Sequence, residues 1–554
     1  MKKIILFMVL TSTVFSAKSQ WSNNPSVNTI VSNKLGSDYD PILVSDGASG
    51  AITIFTENFD GNIFAQRITS AGTVAWGSSS NPVSVCVNTG QKYAINVVAD
   101  GVGGAFVAWT DYRHDEKVGE IYVQKISATG ITEWGASGLR VTNTSSSDEY
   151  LPLLCLDGAG GIIITWYGDD TLAQNIQNYA QRYNSAGIAQ WAAAGVQVST
   201  AAGFRAPSTI LSDGANGAFI FFIDTRNDPN GLDYTYLNNN NLTNSDIYGQ
   251  RLNGSGTRLW GTGGAAIITA PGNQNDDLDA KAVTDGAGNV ILVFSDGRND
   301  PGVYLNYDIF AQKINGSGVV QWASNGVAVC TATENQFATG IATDGAGGAI
   351  ISMYYESDFR LYGQRIIGTG ATAWTPNGLP VSLASEQIYE GTVAADGNGN
   401  SIFSYADPFN NTVKAQKLNG AGVTQWGAAG IVVCNNSLSS PYTSSLVLSN
   451  AGSVIVAWQD NRNFDAPSAQ DIYASKVLST GTLAGAVTGY VTVANGNWDN
   501  PAIWAGGVVP PAGAAVQIRH TVVGNINAAC NSLVIAQPGG NLNVLNGITI
   551  SVSN

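Results

Sequence analysis

The sequence predicts an all-β chain: an eight-bladed β-propeller closed by an N-terminal strand and followed by a short β-solenoid-like segment. Three observations carry this. An Asp-Gly anchor recurs at Asp46, Asp100, Asp157, Asp213, Asp285, Asp344 and Asp396, and a degenerate copy, "SNAGS", places Asn450 eighth. Gly followed four residues later by Trp recurs seven times, from Gly72/Trp76 to Gly422/Trp426. The composition suits short strands and tight turns, because only 12% of the 554 residues are charged and 65 are Gly, which adopts positive φ without steric cost.

Returns at a near-constant spacing mark stacked repeats. Each unit reads as four strands; in the third they are "YLPLLCLD", "GGIIITWY", "YAQRYN" and "WAAAGVQV". Asp-Gly-x-Gly joins the first two and Asn-Ser-Ala-Gly the last two, both with Gly where the turn needs a left-handed residue. Four antiparallel strands per unit describe a propeller blade. The eighth unit reaches Gly481 but has Gly485 where Trp is due, and the missing Trp lies at the other end of the chain, where Trp21 opens "WSNNPSVNTIVS". Residues 21 to about 31 should therefore form the outer strand of the last blade and remove the sheet edges an open ring would expose. Seven blades is the alternative if the degenerate unit is not a full sheet.

The domain reading is residues 1–19 as a signal peptide, 20–484 as propeller and 485–554 as the solenoid-like segment. Two lysines, an apolar run from Ile4 to Leu10 and small residues up to Ser19 have the order of a cleaved secretory leader, with a run too short to anchor the chain. The expected location is extracellular or on the outer cell surface, as a monomer. In the tail, apolar pairs at period two (Val516/Ile518, Leu533/Ile535, Leu542/Val544, Ile548/Ile550) are separated by Gly and Asn, as in thin stacked coils. A net charge of −15 argues against nucleic acid as a partner, and no later segment is apolar enough to span a membrane. The five cysteines, Cys86, Cys155, Cys330, Cys434 and Cys530, read as small buried hydrophobes, three of them at one place in the repeat.

The Gly-x-x-x-Trp units resemble the tryptophan-docking repeat of the eight-bladed pyrroloquinoline-quinone dehydrogenases, although the adjacent cysteine pair common in those enzymes has no counterpart here. The fuller unit, "DGxGGxxxxWxD…DIYxQRhNxxGxxxW", is more similar to secreted propeller surface proteins of the Bacteroidota, over Trp21 to Leu483. Through Trp498, Trp504, Gly507, Pro510, Gly513, Ile518 and His520 the tail resembles the first coils of an eight-glycine solenoid module. This resemblance implies adhesion at a cell surface and export by type IX secretion, whose sorting domain is not recognisable before Asn554. The expectation is a truncated product.

Candidate sites follow from blade geometry, because the longer connections all reach one face, and loops on a rigid scaffold carry binding residues. Seven residues before the anchors lie Tyr39, Tyr93, Tyr150, Phe337 and Tyr389, with Tyr442 eight before. These rings either line the mouth as stacking faces for a glycan or fill the wedge between blades. Eleven residues after the anchors lie Glu57, Asp111, Asp224, Asp296 and Asp407, with Asp169 and Glu356 one later and Asp460 one earlier. They read as turn braces or as a rim for calcium, whose best oxygen set is Asp224, Asp228, Asn230 and Asp233 in the long blade-four loop. Gln66 and its repeats before Arg or Lys read as buried amides pairing backbone. With two His in the chain, zinc or imidazole acid–base chemistry has little material. The favoured function is a non-catalytic glycan- or surface-binding protein. An extracellular propeller enzyme, glycan-active or quinone-dependent, and a structural spacer stay open.

Overall fold

The computed structural model describes residues 21–552, except 59–60, 143–146, 171–174, 229–244, 273, 275–279, 300–305, 389, 451, 463–469, 486–489, 505–508, 511–513, 537–539 and 547. The signal-peptide residues, Tyr389, Asn230 and Asp233 lie outside the described residues. Two compact units divide the chain, residues 1–484 and 485–554.

The first unit is an eight-bladed β-propeller of four-stranded antiparallel sheets. The first blade runs Asp38–Ser45, Ala51–Glu57, Ile63–Ile68 and Val83–Cys86, and the six that follow repeat this order from the innermost strand outward. The eighth combines Tyr442–Leu448, Val454–Asp460 and Asp471–Val477 with Thr29–Ser32, which pairs antiparallel to its third strand through Thr29–Ala474 and Ile30–Tyr473. Second strands such as Val290–Asp296 and Val454–Asp460 are buried along their whole length. They sit mid-sheet with a neighbouring blade on each face, so they read as continuous apolar runs. The core lies between blades: Ile52 and Ile54 of blade one pack with Val107 and Trp109 of blade two, and Trp21 and Val31 pack with Phe55 and Ala457.

Two details differ from the sequence reading. The Trp of each Gly-x-x-x-Trp precedes the outer strand instead of lying on it; in blade three Trp191 is followed by an outer strand of only Val196–Gln197. The eighth anchor is Ser449, not Asn450. In blade one Asp46 N–H meets Gly50 O, with Ala51 opposite Ile68. In blade eight Ser449 N–H meets Ser453 O, with Val454 opposite Val477. The corrected register places Tyr442 seven residues before its anchor and Asp460 eleven after, in line with the other blades.

The second unit holds two parallel sheets. One stacks Tyr490–Val491, Ala514–Ile518, Ala528–Ile535 and Ile550–Val552; the other stacks Gly496–Asn497, Thr521–Gly524 and Asn541–Val544. Its core is Trp498, Ile503, Trp504, Val516, Ile518, Val522 and Cys530. Trp504 Nε1 donates to Trp498 O at 2.8 Å, with the two indoles edge to face.

Candidate functional site: the channel mouth

The repeated side chains are first accounted for by the blades themselves. Each docking indole donates to a main-chain oxygen of the next blade, at 2.9–3.3 Å, from Trp21 on Ser70 through Trp426 on Ser479. The glycine beneath must be glycine: at Gly72, where φ is +83°, a Cβ would come within 2.5 Å of Trp21 N and 2.8 Å of its ring. The repeated Gln carboxamide bridges two chain segments; Gln250 donates to Gly261 O at 2.7 Å while its oxygen accepts from Trp260 N–H at 2.8 Å. The anchor carboxylates cap their own turns and pair with the Arg or Lys after that Gln. Asp344 accepts from Ala346 and Gly348 N–H and pairs with Arg365. Although burial opposes it, the same arrangement around Lys313 and Asn289 draws Asp285 down to about 2.

Five of the carboxylates at the ends of the second strands, Asp111, Asp224, Asp296, Asp407 and Asp460, brace their turns by accepting from the backbone N–H two residues on. Asp111 accepts from Trp109 Nε1 at 2.7 Å, from Arg113 N–H at 2.9 Å and from the Arg113 guanidinium at 2.5 Å. Asp460 repeats this with Trp458 and Arg462. The guanidiniums of Arg113, Arg226, Arg298 and Arg462 lie 3.7–4.0 Å above aromatic rings, where a weakly hydrated planar cation is favourable. In blade six Tyr355 stands at the brace position. Its hydroxyl donates to Asn377 O, a place Arg298 fills in blade five by reaching Asn325 O. Glu356, one residue later, instead accepts from Asn335.

Of the expected calcium set, the structure describes Asp224 and Asp228. Both Asp224 oxygens are taken by cations: Arg226 donates to each, and the fully buried Arg205 donates at 3.1 Å. Asp224 is thus a brace between Arg205 and Arg226. Among the described residues no three His, Cys, Asp or Glu gather to hold a metal. The cysteines are all buried and unbridged; Cys86 and Cys434 lie 3.1–3.2 Å from the Arg113 and Arg462 guanidiniums.

The predicted aromatics split into two groups. Tyr93, Tyr112, Tyr150 and Tyr167 form one ladder across blades two and three, with ring centres 5.9–6.0 Å apart, and Phe337 stacks on Tyr354. These are rings packed on rings. Tyr442 is 47% exposed and keeps a face toward solvent, whereas Tyr39, like Tyr93, Tyr150 and Phe337, is half-buried.

Where the innermost strands converge there is a cavity of about 540 Å³. Blades two to seven line it, with the hydroxyls of Ser208, Thr209, Thr339 and Thr392, the amide of Asn96 and one charged side chain, Lys281. Some of these groups also tie blades together; Asn96 Oδ1 accepts from Leu154 N–H at 2.9 Å. Two residues nearer the loop-rich face on their strands lie Asp40 and Glu390. Both are open to water yet surrounded by protein at the mouth. Desolvation raises Glu390 above the ordinary carboxylate range, Asp40 raises it further and Lys281 offsets this; desolvation also raises Asp40. These charges were not singled out from sequence, because they do not recur in every blade. The signal that could have found them is a departure from the repeat: at the positions of Asp40 and Glu390, four other blades carry Ala94, Leu151, Pro207 and Ala338, while blade five carries Asp279, outside the described residues.

No family model matches the chain, and no curated protein matches it. Solved structures do. A puromycin hydrolase is 14% identical with a TM-score of 0.38, over 88% of this chain and 66% of that one. A protein of unknown function from Dyadobacter fermentans is 12% identical with a TM-score of 0.36, over 71% and 96%. A Penicillium chrysogenum alpha-L-arabinanase bound to arabinobiose has the same identity and TM-score, over 71% and 94%. At these values the likeness carries no argument about activity. No helix among the described residues is long and apolar enough to cross a membrane.

Proposed function

We propose that this chain is a secreted or cell-surface binding protein that engages a glycan through the loop-rich face of its propeller, without catalysing a reaction. One observation carries the reading: the hydroxyl- and amide-lined cavity of about 540 Å³ where six blades meet. Polar linings with few charges suit a polyhydroxylated ligand, and a concave site can desolvate it. The repeated Asp, Gln, Arg and Trp side chains are engaged in holding the blades, which leaves the mouth as the part free to vary. Tyr442 would supply a stacking face at its rim. A glycan array probed with residues 20–554 tests this directly; binding to a defined class supports it, and turnover of a bound polysaccharide would move the assignment to the enzyme reading.

Two architectural proposals accompany the function. The N-terminal strand closes the ring, supported by its pairing with Asp471–Val477 and by the Trp21–Ser70 hydrogen bond. The second unit is the start of a β-solenoid, supported by its two parallel stacks. Export through the leader and attachment at the cell surface would then present the mouth to environmental glycans.

A further inference from the structure

Two exposed phenylalanines stand on neighbouring blades of the loop-rich face. Phe359 ends the turn 356–359 of blade six, and Phe409 lies in the turn 408–411 of blade seven. They are 37% and 61% exposed. One connection, from the outer strand of blade six to the innermost strand of blade seven, holds both turns. Ile388 N–H donates to Phe359 O at 2.6 Å, and Asn410 Nδ2 donates to Ser385 O at 3.1 Å. Asp407 Oδ1 accepts from the N–H groups of Phe409 and Asn410 at 3.2 and 3.1 Å. Both rings are thus presented from braced supports, as a precise site needs. Toward the channel the Phe359 ring continues a line. Its centre lies 6.3 Å from that of Tyr354, which stacks on Phe337 at 6.4 Å. Phe337 belongs to the innermost strand Gln336–Thr343, whose Thr339 lines the cavity. Turn construction does not call for a ring at Phe359. Its backbone is left-handed, φ 54°, at the position that Asn411 fills in blade seven with φ 56°. Asn adopts that conformation readily and a bulky side chain does not, so the ring is kept against a local strain that points to a use outside the turn.

We propose that Phe359 and Phe409 form an outer subsite for a neutral polysaccharide: one end of the polymer enters the hydroxyl-lined channel, and the sugar units that follow pass over blades six and seven with their CH faces on the two rings. This deepens the glycan reading and rests on it. An aromatic face suits the CH face of a sugar. Asp358, Arg360 and Asn410 flank the rings, so hydrogen-bonding groups interrupt the apolar surface. A protein partner would instead meet a continuous core depleted in charge. Asp358 and Arg360 balance each other, and the chain as a whole carries a net charge of −15, which repels an acidic polymer. The turns 356–359 and 408–411 are short beside the connections 225–245 of blade four and 297–307 of blade five. Little chain therefore stands in the way of a polymer that leaves the channel over blades six and seven.

The test is affinity electrophoresis of residues 20–554 through gels holding a neutral β-glucan, mannan, xylan or arabinan, or acidic polygalacturonate. Calorimetric titration follows, with the two-unit and six-unit oligosaccharides of the polymer that retards the protein most. The expected result is retardation by a neutral polymer and about tenfold tighter binding of the six-unit form. Phe409→Ala and Phe359→Asn should each weaken the six-unit form about fivefold and leave the two-unit form unchanged. Asn suits the left-handed position, so the thermal midpoint of Phe359→Asn should not fall. Equal affinity for the two lengths, or six-unit binding that survives both substitutions, would overturn the proposal while leaving a glycan-binding mouth standing. Stronger retardation by polygalacturonate would overturn the neutral class. A concentration-dependent dimer in sedimentation that Phe409→Ala abolishes would assign the rings to a second copy of the chain and overturn the proposal too. No retardation by any polymer, with glycans still bound on an array, would sink the outer subsite alone; no binding on the array either would remove the underlying reading as well.

Discussion

The indole nitrogen of Trp21 donates to the main-chain oxygen of Ser70 at 2.9 Å, joining the first described residue of the chain to the first blade as each later Trp joins its blade to the next. If this contact closes the ring, Trp21→Ala should behave like loss of an internal docking residue. Deleting a buried Trp costs about 3–5 kcal/mol. The thermal midpoint of Trp21→Ala should fall about as far as that of Trp260→Ala. A midpoint equal to wild type would mean that the N-terminal segment is an appendage.

Asp38 stands beside the closing strand, fully buried, with Ser32 donating to Oδ2 at 2.6 Å and Oδ1 without a hydrogen-bond partner. Burial raises it to about 7, Asp471 and Glu57 adding to the rise while the Ser32 bond and Lys34 lower it. The folded state therefore holds a proton that the unfolded chain releases near the ordinary value of 3.8. Its contribution is fully present below about pH 4 and is lost as pH rises to about 7. Denaturation across pH 4–8 should show this falling limb, and Asp38→Asn should remove it, gaining on the order of 2–4 kcal/mol at pH 8 and little at pH 4.

Lys476 occupies the place of Arg67 or Lys417 but has Ser449 where those residues have an aspartate. Burial pulls its amine below the usual lysine range, with only Asp46 of the next blade offsetting this. Ser449→Asp supplies the missing partner. It should raise stability at neutral pH by about 1 kcal/mol, the size of a favourable, partly buried charge-assisted bond, and Lys476→Met should abolish the gain. A destabilised Ser449→Asp protein would argue against the revised register.

Arg205 is fully buried against Asp224. Removing one partner of such a pair leaves a buried charge unpaired, at a cost of about 3–5 kcal/mol. Asp224→Asn should lose that much stability equally in calcium and in chelator, read from paired melting curves. A loss confined to calcium would restore Asp224 as a metal ligand.

The closing blade illustrates what the sequence discloses and what it hides. The count of Gly-x-x-x-Trp units located the missing tryptophan at Trp21 because docking is a pairwise geometry that leaves an unmatched partner at each end. The register of the last blade was not legible, since Asn450 resembles an aspartate chemically while backbone hydrogen bonding selects Ser449. Asp224 was visible through its fixed spacing, but its partner Arg205 faces it across the sheet from a position where other blades hold Lys92 or Gln336. The mouth charges escaped notice for the converse reason: a search for repeats passes over residues that depart from them.

The most direct test of the binding mouth compares glycan-array profiles of residues 20–554 with those of Thr392→Trp, which places an indole in the channel where Thr392 lines it. The account predicts that the parent protein binds at least one glycan class and that the filled channel weakens this at least tenfold, with the thermal midpoint unchanged. Undiminished binding by Thr392→Trp, or no glycan bound by the parent, would contradict it.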